Sequence, residues 1–360
     1  MSAALLDLDA NPHSTHGPGE RARAAIEDAR RELAALVGVE PASVIFTSGA
    51  TEANNLALRG MTNHLADMGR LRVLVGAGEH PSVLHAFDGC DAVSVDLVPL
   101  DAEGRIDLGQ LDAMLDAGIG LVSVAPANHE IGTIQPIAEI ARRVRAAKAL
   151  MHCDLAQTAG RLPIAAELFD LASVSAHKMH GPIGIGALIV SRRLRRALTP
   201  MLHGGGQEGR LRPGTLSPAL AAGFGEACRL ARAEMAADGE RIRALRDALL
   251  HSLLPVGGLH VHGSMDRLPG NLNISFDGVD GEALVMRLRD TVALSTGSAC
   301  TSTSLEPSHV LLAIGLARPQ AEGAIRIGLG RQTTRDDITQ ASAAISTAVG
   351  ALRATLRKVA

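Results

Sequence analysis

Lys178 stands at the end of an apolar, β-favouring run that includes Leu171 and Val174, in the order Ser175-Ala176-His177-Lys178. A Gly/Pro turn and a second apolar strand, Gly186–Val190, follow it. Lysine is rarely placed where its charge loses water. Where it is, desolvation lowers its pKa and frees the amine as a nucleophile, which a Schiff-base lysine needs. Upstream, His152-Cys153-Asp154-Leu155-Ala156-Gln157 also closes an apolar run, so an acid stands at a second strand end. A lysine for an imine and a carboxylate to keep a pyridine nitrogen protonated are the pair that pyridoxal phosphate chemistry requires. The lysine alone fits a surface position in a hairpin turn as well.

Other polar groups recur at comparable places. Ser48-Gly49-Ala50-Thr51-Glu52 follows a short β-branched run and opens a helical pattern, the form of a phosphate cradle. It equally fits a capping box with Ser48 or Thr51 as the cap and no ligand. Glu79-His80, Asn128-His129-Glu130, Asp154 with Gln157, and Ser175-His177-Lys178 each follow an expected strand. One such histidine is ordinarily a satisfied loop residue, but four polar clusters at equivalent strand ends point to a shared site. The loop over 203–215, H-G-G-G-Q-E-G-R-L-R-P-G-T, has the glycines and arginines of an anion-binding loop or the composition of a linker. Cys300 lies in a Gly/Ser/Thr run, T-G-S-A-C-T-S-T-S, with no apolar neighbours to bury it, which makes it a candidate reactive thiol.

These groups need a scaffold, and the pattern supplies one. Strands are expected at 44–47, 72–75, 93–98 and 120–125, before Asp154, before Lys178 and at 186–190. They alternate with helices over 18–37 (stopped by Gly38), 53–68, 81–88, 108–116 and 136–149. That alternation implies a parallel or mostly parallel sheet covered by helices, with ligands at the carboxyl ends of its strands. A long helix over 218–254 precedes an α+β unit with strands at 259–262, 271–276, 292–295 and 324–329. Its helices are expected at 281–289, 308–316 and 335–358.

The chain has 360 residues, 46% hydrophobic and 20% charged, with a net charge of −3. This balance gives no electrostatic case for nucleic acid or an anionic membrane. No apolar run approaches the roughly 18 residues of a membrane span, and the N-terminus has neither the basic region nor the apolar core of a signal peptide. Cys90, Cys153, Cys228 and Cys300 show no C-x-x-C spacing, which argues against a metal site and for a reducing cytoplasm. The first three are expected to be buried structural thiols. With no Trp, no Tyr and five Phe, near-ultraviolet absorbance is weak and any bound chromophore dominates the spectrum.

Taken together, S-G-A-T-E-A-N-N, E-H-P-S-V-L, N-H-E-I-G-T-I-Q-P-I, H-C-D-L-A-Q-T-A-G, S-A-H-K-M-H-G-P-I-G-I-G-A-L, G-G-G-Q-E-G-R-L-R-P-G-T and G-S-A-C-T-S-T-S-L-E-P-S-H-V-L resemble the cysteine desulfurases of the NifS/IscS group. These belong to the class V aminotransferase superfamily. The motifs come in family order from about Asn11 to the C-terminus. The resemblance implies the α/β fold type I of pyridoxal phosphate-dependent transferases: a mostly parallel seven-stranded sheet between helices in a large domain (11–235), and a small α+β C-terminal domain (236–360) on which residues 1–10 would pack. It implies that Lys178 binds the cofactor covalently and shuttles protons, that Asp154 pairs with the pyridinium nitrogen, and that Gln157 donates to the phenolic oxygen. His80 would stack on the ring. Ala50 and Thr51, Ser175 and His177 would hold the phosphate, joined by Thr215 from a partner subunit of a homodimer. Asn128 and Arg326 would bind the substrate carboxylate, for which an Arg fork is suited. Cys300 would take sulfur from L-cysteine as a persulfide, leaving L-alanine, and pass it to an iron–sulfur scaffold or another acceptor. The G-S-A-C-T-S loop is similar to that of the longer-loop, scaffold-serving subgroup.

Relatives of this group begin with an Asp-x-x-Ala-Thr-Thr-Pro segment and a helix before the N-P-x-S-x-H stretch found here at Asn11 to His16. Two other readings stand beside the first, the second of them resting on this departure. One is a selenocysteine lyase or another pyridoxal phosphate-dependent lyase or aminotransferase, for which Cys300 is dispensable. The other is a weak or inactive paralogue that serves as a partner-binding subunit.

Overall fold

The computed structural model describes residues 1–296 and 306–359, with side chains described up to 355. The chain falls into two compact units. The first comprises residues 1–98, 108–126 and 136–235; the second comprises 99–107, 127–135 and 236–360. A single cut at 235/236 therefore misses two short segments, and residues 1–10 group with the first unit. The segments 99–107 and 127–135 belong with the second unit because they are hydrogen-bonded to it. Ser264 N–H donates to Glu103 O, and Leu268 N–H donates to Gly132 O.

The first unit is built on seven strands: β1 (Val44–Thr47), β2 (Arg72–Gly76), β3 (Ser94–Val98), β4 (Ile119–Ser123), β5 (Leu150–Asp154), β6 (Leu171–Ser175) and β7 (Gly186–Val190). Their order across the sheet is β1-β7-β6-β5-β4-β2-β3. β2 to β6 pair in parallel, whereas β7 is antiparallel to both β6 and β1. The connection from Ala176 to Ile185 is shorter than the roughly dozen residues a parallel crossover needs, so the chain must turn back on itself there. Lys178 lies in that turn. β1, β4, β5, β6 and β7 are buried along their whole length, which explains their continuous apolar runs.

Helices cover this sheet. Gly17–Val37 begins where His16 accepts a bond from Gly19 N–H, with Pro18 in its first turn, and ends at Gly38 in the left-handed region (φ 79°). The helix expected over 53–68 is two helices, Ala50–Gly60 and Thr62–Asp67. The helix expected over 81–88 stops at Leu84. Ile45, Leu56, Leu58, Val73, Val75, Leu121 and Leu188 form the core between helices and strands. At β1, Arg30 Nη1 donates to Val44 O (3.0 Å) and to Glu208 (2.8 Å), and Glu208 in turn accepts from Phe46 N–H (2.7 Å).

The second unit carries an antiparallel sheet of β8 (Leu259–Val261), β9 (Asn271–Phe276), β10 (Ser295–Thr296) and β11 (Ile325–Gly328), in the order β10-β11-β9-β8. Leu272, Ile274, Phe276, Leu284, Ile325 and Ile345 fill its core, to which the helices Gly281–Leu288 and Arg335–Val359 contribute. The short helix Arg318–Glu322 has no counterpart in the sequence reading. No described helix is long and apolar enough to cross a membrane.

Candidate active site

β1, β2, β4, β5 and β6 run the same way, so their carboxyl ends share one edge of the larger sheet, the edge at which open α/β sheets bind ligands. At this edge Gly186 is in register with both Thr47 and Ser175. A Cβ on Gly186 would stand 2.6 Å from Gly49 Cα and 2.5 Å from Val174 O, so glycine is required for the turn after β1 to lie this close. That turn delivers the helix Ala50–Gly60, whose N-cap is Gly49 and whose first turn no side chain caps. The capping box expected of Ser48 or Thr51 does not form. Instead, Glu52 reaches back to Ser48 N–H (2.7 Å) and also accepts from Arg212 Nε (2.8 Å). One arginine of the glycine-rich loop is thus already paired. Beside this turn, buried Ser175 Oγ lies 2.9 Å from His177 Nδ1.

Asp154 ends β5 and is 6% exposed. Its Oδ1 accepts from Ala156 N–H (2.9 Å) and its Oδ2 from Asn54 Nδ2 (2.8 Å). These two bonds orient the carboxylate and leave each oxygen with lone pairs to spare. The same Asn54 nitrogen donates to Ser82 Oγ (2.9 Å). Ser82 stands 2.8 Å through its hydroxyl, and 3.1 Å through its N–H, from His80 Nδ1. His80 caps the short helix Pro81–Leu84 after β2, which fixes its ring.

A second network holds the lysine. Lys178 lies in a single 3-10 turn, Ala176–Met179, and is half-buried rather than buried. The strand hands it to a turn, so its position owes more to backbone geometry than to the desolvation expected from the apolar run. Arg161 donates from Nη2 to Lys178 O (2.8 Å) and from Nη1 to Gln157 Oε1 (2.7 Å). With its oxygen committed to a guanidinium, Gln157 keeps its Nε2 donor for another partner.

Beneath this edge the sheet carries buried polar groups. His152 is wholly buried, with Nδ1 2.8 Å from Ser123 Oγ and Nε2 3.2 Å from Ser173 Oγ; burial depresses its pKa to about 3. Glu79 is 4% exposed and accepts from Ala125 N–H (2.6 Å). Burial pushes its carboxyl up to about 8; the Ala125 bond opposes this and the Asp154 charge adds to it. Between the unfolded value of 4.5 and about 8, the folded chain holds a proton that the unfolded chain has lost. Stability contributed by this group therefore falls as pH rises through that window. Relative to Glu79→Gln, the cofactor-free parent is expected to lose on the order of 3–5 kcal/mol between pH 4.5 and 8. Urea unfolding at the two ends of the window measures this, and parallel pH curves for the two proteins would refute it.

In the second unit, Asn128 Oδ1 accepts from Glu130 N–H (2.8 Å) and Ile131 N–H (3.0 Å), folding the loop around its own side chain. Arg326, on β11, donates from Nη1 to His129 O (3.0 Å), so the two residues assigned to the substrate carboxylate belong to one loop-and-strand cluster. Glu130 accepts from the Ser308 hydroxyl. Burial raises its pKa to about 7, against the pull of that bond and of the Arg326 charge.

The first unit thus brings together Ala50, Thr51, His80, Asp154, Gln157, Ser175, His177 and Lys178, and the second Asn128 and Arg326. Thr215 is exposed, and Cys300 lies outside the described residues. Cys153 and Cys228 are buried, and burial drives their thiols well above the ordinary range, whereas Cys90 is only half-buried at the rim of the core. Asn54, Ser82 and Arg161 were missed as site residues. A buried helical asparagine next to another, Asn55, carries no periodic signal that separates the two.

The donor set suits pyridoxal phosphate. An amine, a carboxylate with lone pairs left over, an amide donor, an imidazole, and an uncapped helix start beside Ser175 and His177 match its aldehyde, pyridine nitrogen, phenolic oxygen, ring face and phosphate. The sequence model of the family Aminotransferase class-V matches residues 1–340. The chain is 46% identical over 350 residues to "Cysteine desulfurase IscS" of Colwellia psychrerythraea, with 95% of this chain and 86% of that one covered. It is 44% identical over 363 residues to "Cysteine desulfurase, mitochondrial" of Arthroderma benhamiae, covering 98% of this chain and 71% of that one. A solved structure titled "NIFS-LIKE PROTEIN" superposes with a TM-score of 0.90 at 32% identity, over 97% of this chain and 94% of that one. With the family model spanning most of the sequence and relatives this similar along nearly its whole length, the chain belongs to the class-V aminotransferases and, within them, to the NifS/IscS group of cysteine desulfurases.

Proposed function

We infer that this protein is a pyridoxal phosphate-dependent cysteine desulfurase, converting L-cysteine to L-alanine and passing the sulfur to Cys300 as a persulfide. The observation that carries the reading is the meeting of Lys178, Asp154, Gln157 and His80 at one sheet edge, on the hydrogen-bond networks described above. Pyridoxal phosphate, when bound, supplies an electron sink that acidifies the substrate Cα and loosens the bond from Cβ to sulfur. Asp154 would offer its remaining lone pairs to the pyridine nitrogen and keep that nitrogen protonated. Gln157 Nε2 would donate to the phenolic oxygen, and His80 would face the ring. Thr51, the Ala50 N–H, Ser175 and His177 would hold the phosphate. The Lys178 amine would anchor the cofactor and carry protons between the substrate Cα and Cβ. Arg326 and Asn128 bind the carboxylate. The Cys300 thiolate attacks the substrate sulfur: an S–S bond forms, the C–S bond breaks, and Cβ takes a proton. The pair L-cysteine plus thiol thus balances L-alanine plus persulfide with no outside oxidant.

The protein acts as a homodimer. Thr215, exposed on its own chain, reaches the partner's phosphate site, and exposed apolar side chains of Ile183 (83%), Met201 (42%) and Leu202 (53%) provide surface for a second copy to cover. The persulfide is delivered to an iron–sulfur scaffold or another sulfur acceptor, and the absence of disulfide spacing supports a reducing, cytoplasmic setting.

The test is to supply L-cysteine to cofactor-loaded protein and assay alanine and sulfane sulfur together. Equal yields of the two in the presence of an acceptor thiol are expected. Alanine without sulfane sulfur, or no alanine from a protein that shows a visible cofactor band, refutes the reading.

A further inference from the structure

Asn54 is wholly buried, and its Oδ1 has no hydrogen-bond partner among the described residues. Buried amide oxygens are seldom left this way, and each exception calls for a reason. The reason lies on the other end of the amide. Nδ2 has two hydrogens: one goes to Asp154 Oδ2 (2.8 Å) and the other to Ser82 Oγ (2.9 Å). The flipped amide would set its oxygen against a carboxylate, so the orientation follows from chemistry. Ser82 Oγ, accepting from Asn54, turns its own hydrogen toward His80 Nδ1 at 2.8 Å. That nitrogen already receives Ser82 N–H (3.1 Å), a group that can only donate. Two donors converging on Nδ1 require a lone pair there, which leaves the exchangeable proton of the neutral ring on Nε2.

We propose that Asn54 is a positioning residue that links the acid on the pyridine nitrogen to the imidazole on the ring face: its two N–H bonds orient Asp154 and, through the Ser82 hydroxyl, hold His80 as an Nδ1 acceptor with its proton on Nε2. Its own hydrogen bonds run to Asp154 and Ser82. The consequence for the reaction rests on the desulfurase reading, because His80 then gives and takes protons through Nε2 alone. The relay itself is a property of the chain and can be tested without cofactor.

The experiment is ¹⁵N NMR of the His80 ring in cofactor-free protein labelled at histidine, comparing the parent with Asn54→Ala, Ser82→Ala and Ser82→Thr. The His80 Nδ1 resonance is expected to move toward its unbonded value in both alanine variants and to keep its parent position in Ser82→Thr, which retains the hydroxyl. A shift in Asn54→Ala is the decisive result, since the Asn54 hydrogen bonds go to Asp154 and Ser82 and reach His80 only through the Ser82 hydroxyl. Unmoved His80 nitrogens in Asn54→Ala, or equal spectra for Ser82→Ala and Ser82→Thr, overturn the proposal. Should Asn54→Ala fail to fold, the Asn54 amide signals of Ser82→Ala decide: one proton resonance moves on losing its acceptor while the other, on Asp154, stays. Both moving, or neither, overturns it. In the loaded enzyme, Asn54→Ala is expected to lower kcat about tenfold at unchanged KM, a fraction of the ~10²–10⁴ that a positioned acid–base group supplies. If the relay shifts as expected but no alanine is made by the parent, the desulfurase reading fails and the relay stands.

Discussion

Lys178→Ala is expected to cut alanine formation from L-cysteine by at least about 10³-fold, within the range that loss of a positioned proton-transfer group alone produces. The turn between β6 and β7 presents this amine at the sheet edge, and Arg161 pins the backbone on which it stands. On the proposed reading, shortening the side chain removes both the covalent anchor and the proton carrier. It leaves the Lys178 carbonyl, and hence the bond to Arg161, in place. Because Lys178 is half-buried and outside the apolar core, the folded state should lose no more than about 1 kcal/mol. The measurement is paired: turnover by alanine assay, and the visible spectrum of the loaded protein. Loss of turnover with a melting temperature near the parent's is the expected outcome. Residual activity above a tenth of the parent's would mean that another group carries the chemistry.

The second large effect belongs to the sulfur side. Cys300→Ala is expected to abolish sulfane sulfur and to lower alanine formation about 10²-fold or more, while the spectral change on adding L-cysteine persists. The two variants therefore fail differently: Lys178→Ala loses the cofactor step, and Cys300→Ala only the acceptor. Cys153 and Cys228 are poorly suited to take over. Cys153 and Cys228 are buried with thiols driven upward by burial, and a thiol that stays protonated is a poor nucleophile. Cys90 packs against the core of the first unit. Sulfane sulfur formed at the parent rate by Cys300→Ala would favour a reaction that does not pass through this thiol.

Strand ends were legible in the sequence because a charged or polar residue directly after an apolar run is a contrast that burial creates. The apolar runs that place Asp154 at the end of β5 and Lys178 in the turn after β6 were read this way, and β1, β7 and β9 lie where the apolar pattern put them. Short helices were over-extended. The pattern over 53–68 is continuous, yet the helix breaks at Gly60. A Cβ there would meet Leu198 Cδ1 and Thr199 O at 2.8 Å, a packing fact no local pattern contains. The antiparallel turn of β7 was masked for a related reason: a strand buried on both faces reads alike in either direction. Supporting groups escaped notice because their role is set by contacts distant in sequence. Asn54 reaches Asp154 a hundred residues on, whereas Arg161, only a few residues after Gln157, is informative only once the direction of its guanidinium is known.

β1 is an outermost strand of its sheet, and its residues 44 and 46 direct a carbonyl and an N–H away from β7. Arg30 and Glu208 occupy those two groups with a salt-bridged pair of side chains. An incoming strand from another molecule would find its acceptor and donor already engaged, and would have to dismantle a largely buried ion pair to add itself. The clamp that secures the glycine-rich loop therefore also guards this margin of the sheet against edge-to-edge aggregation.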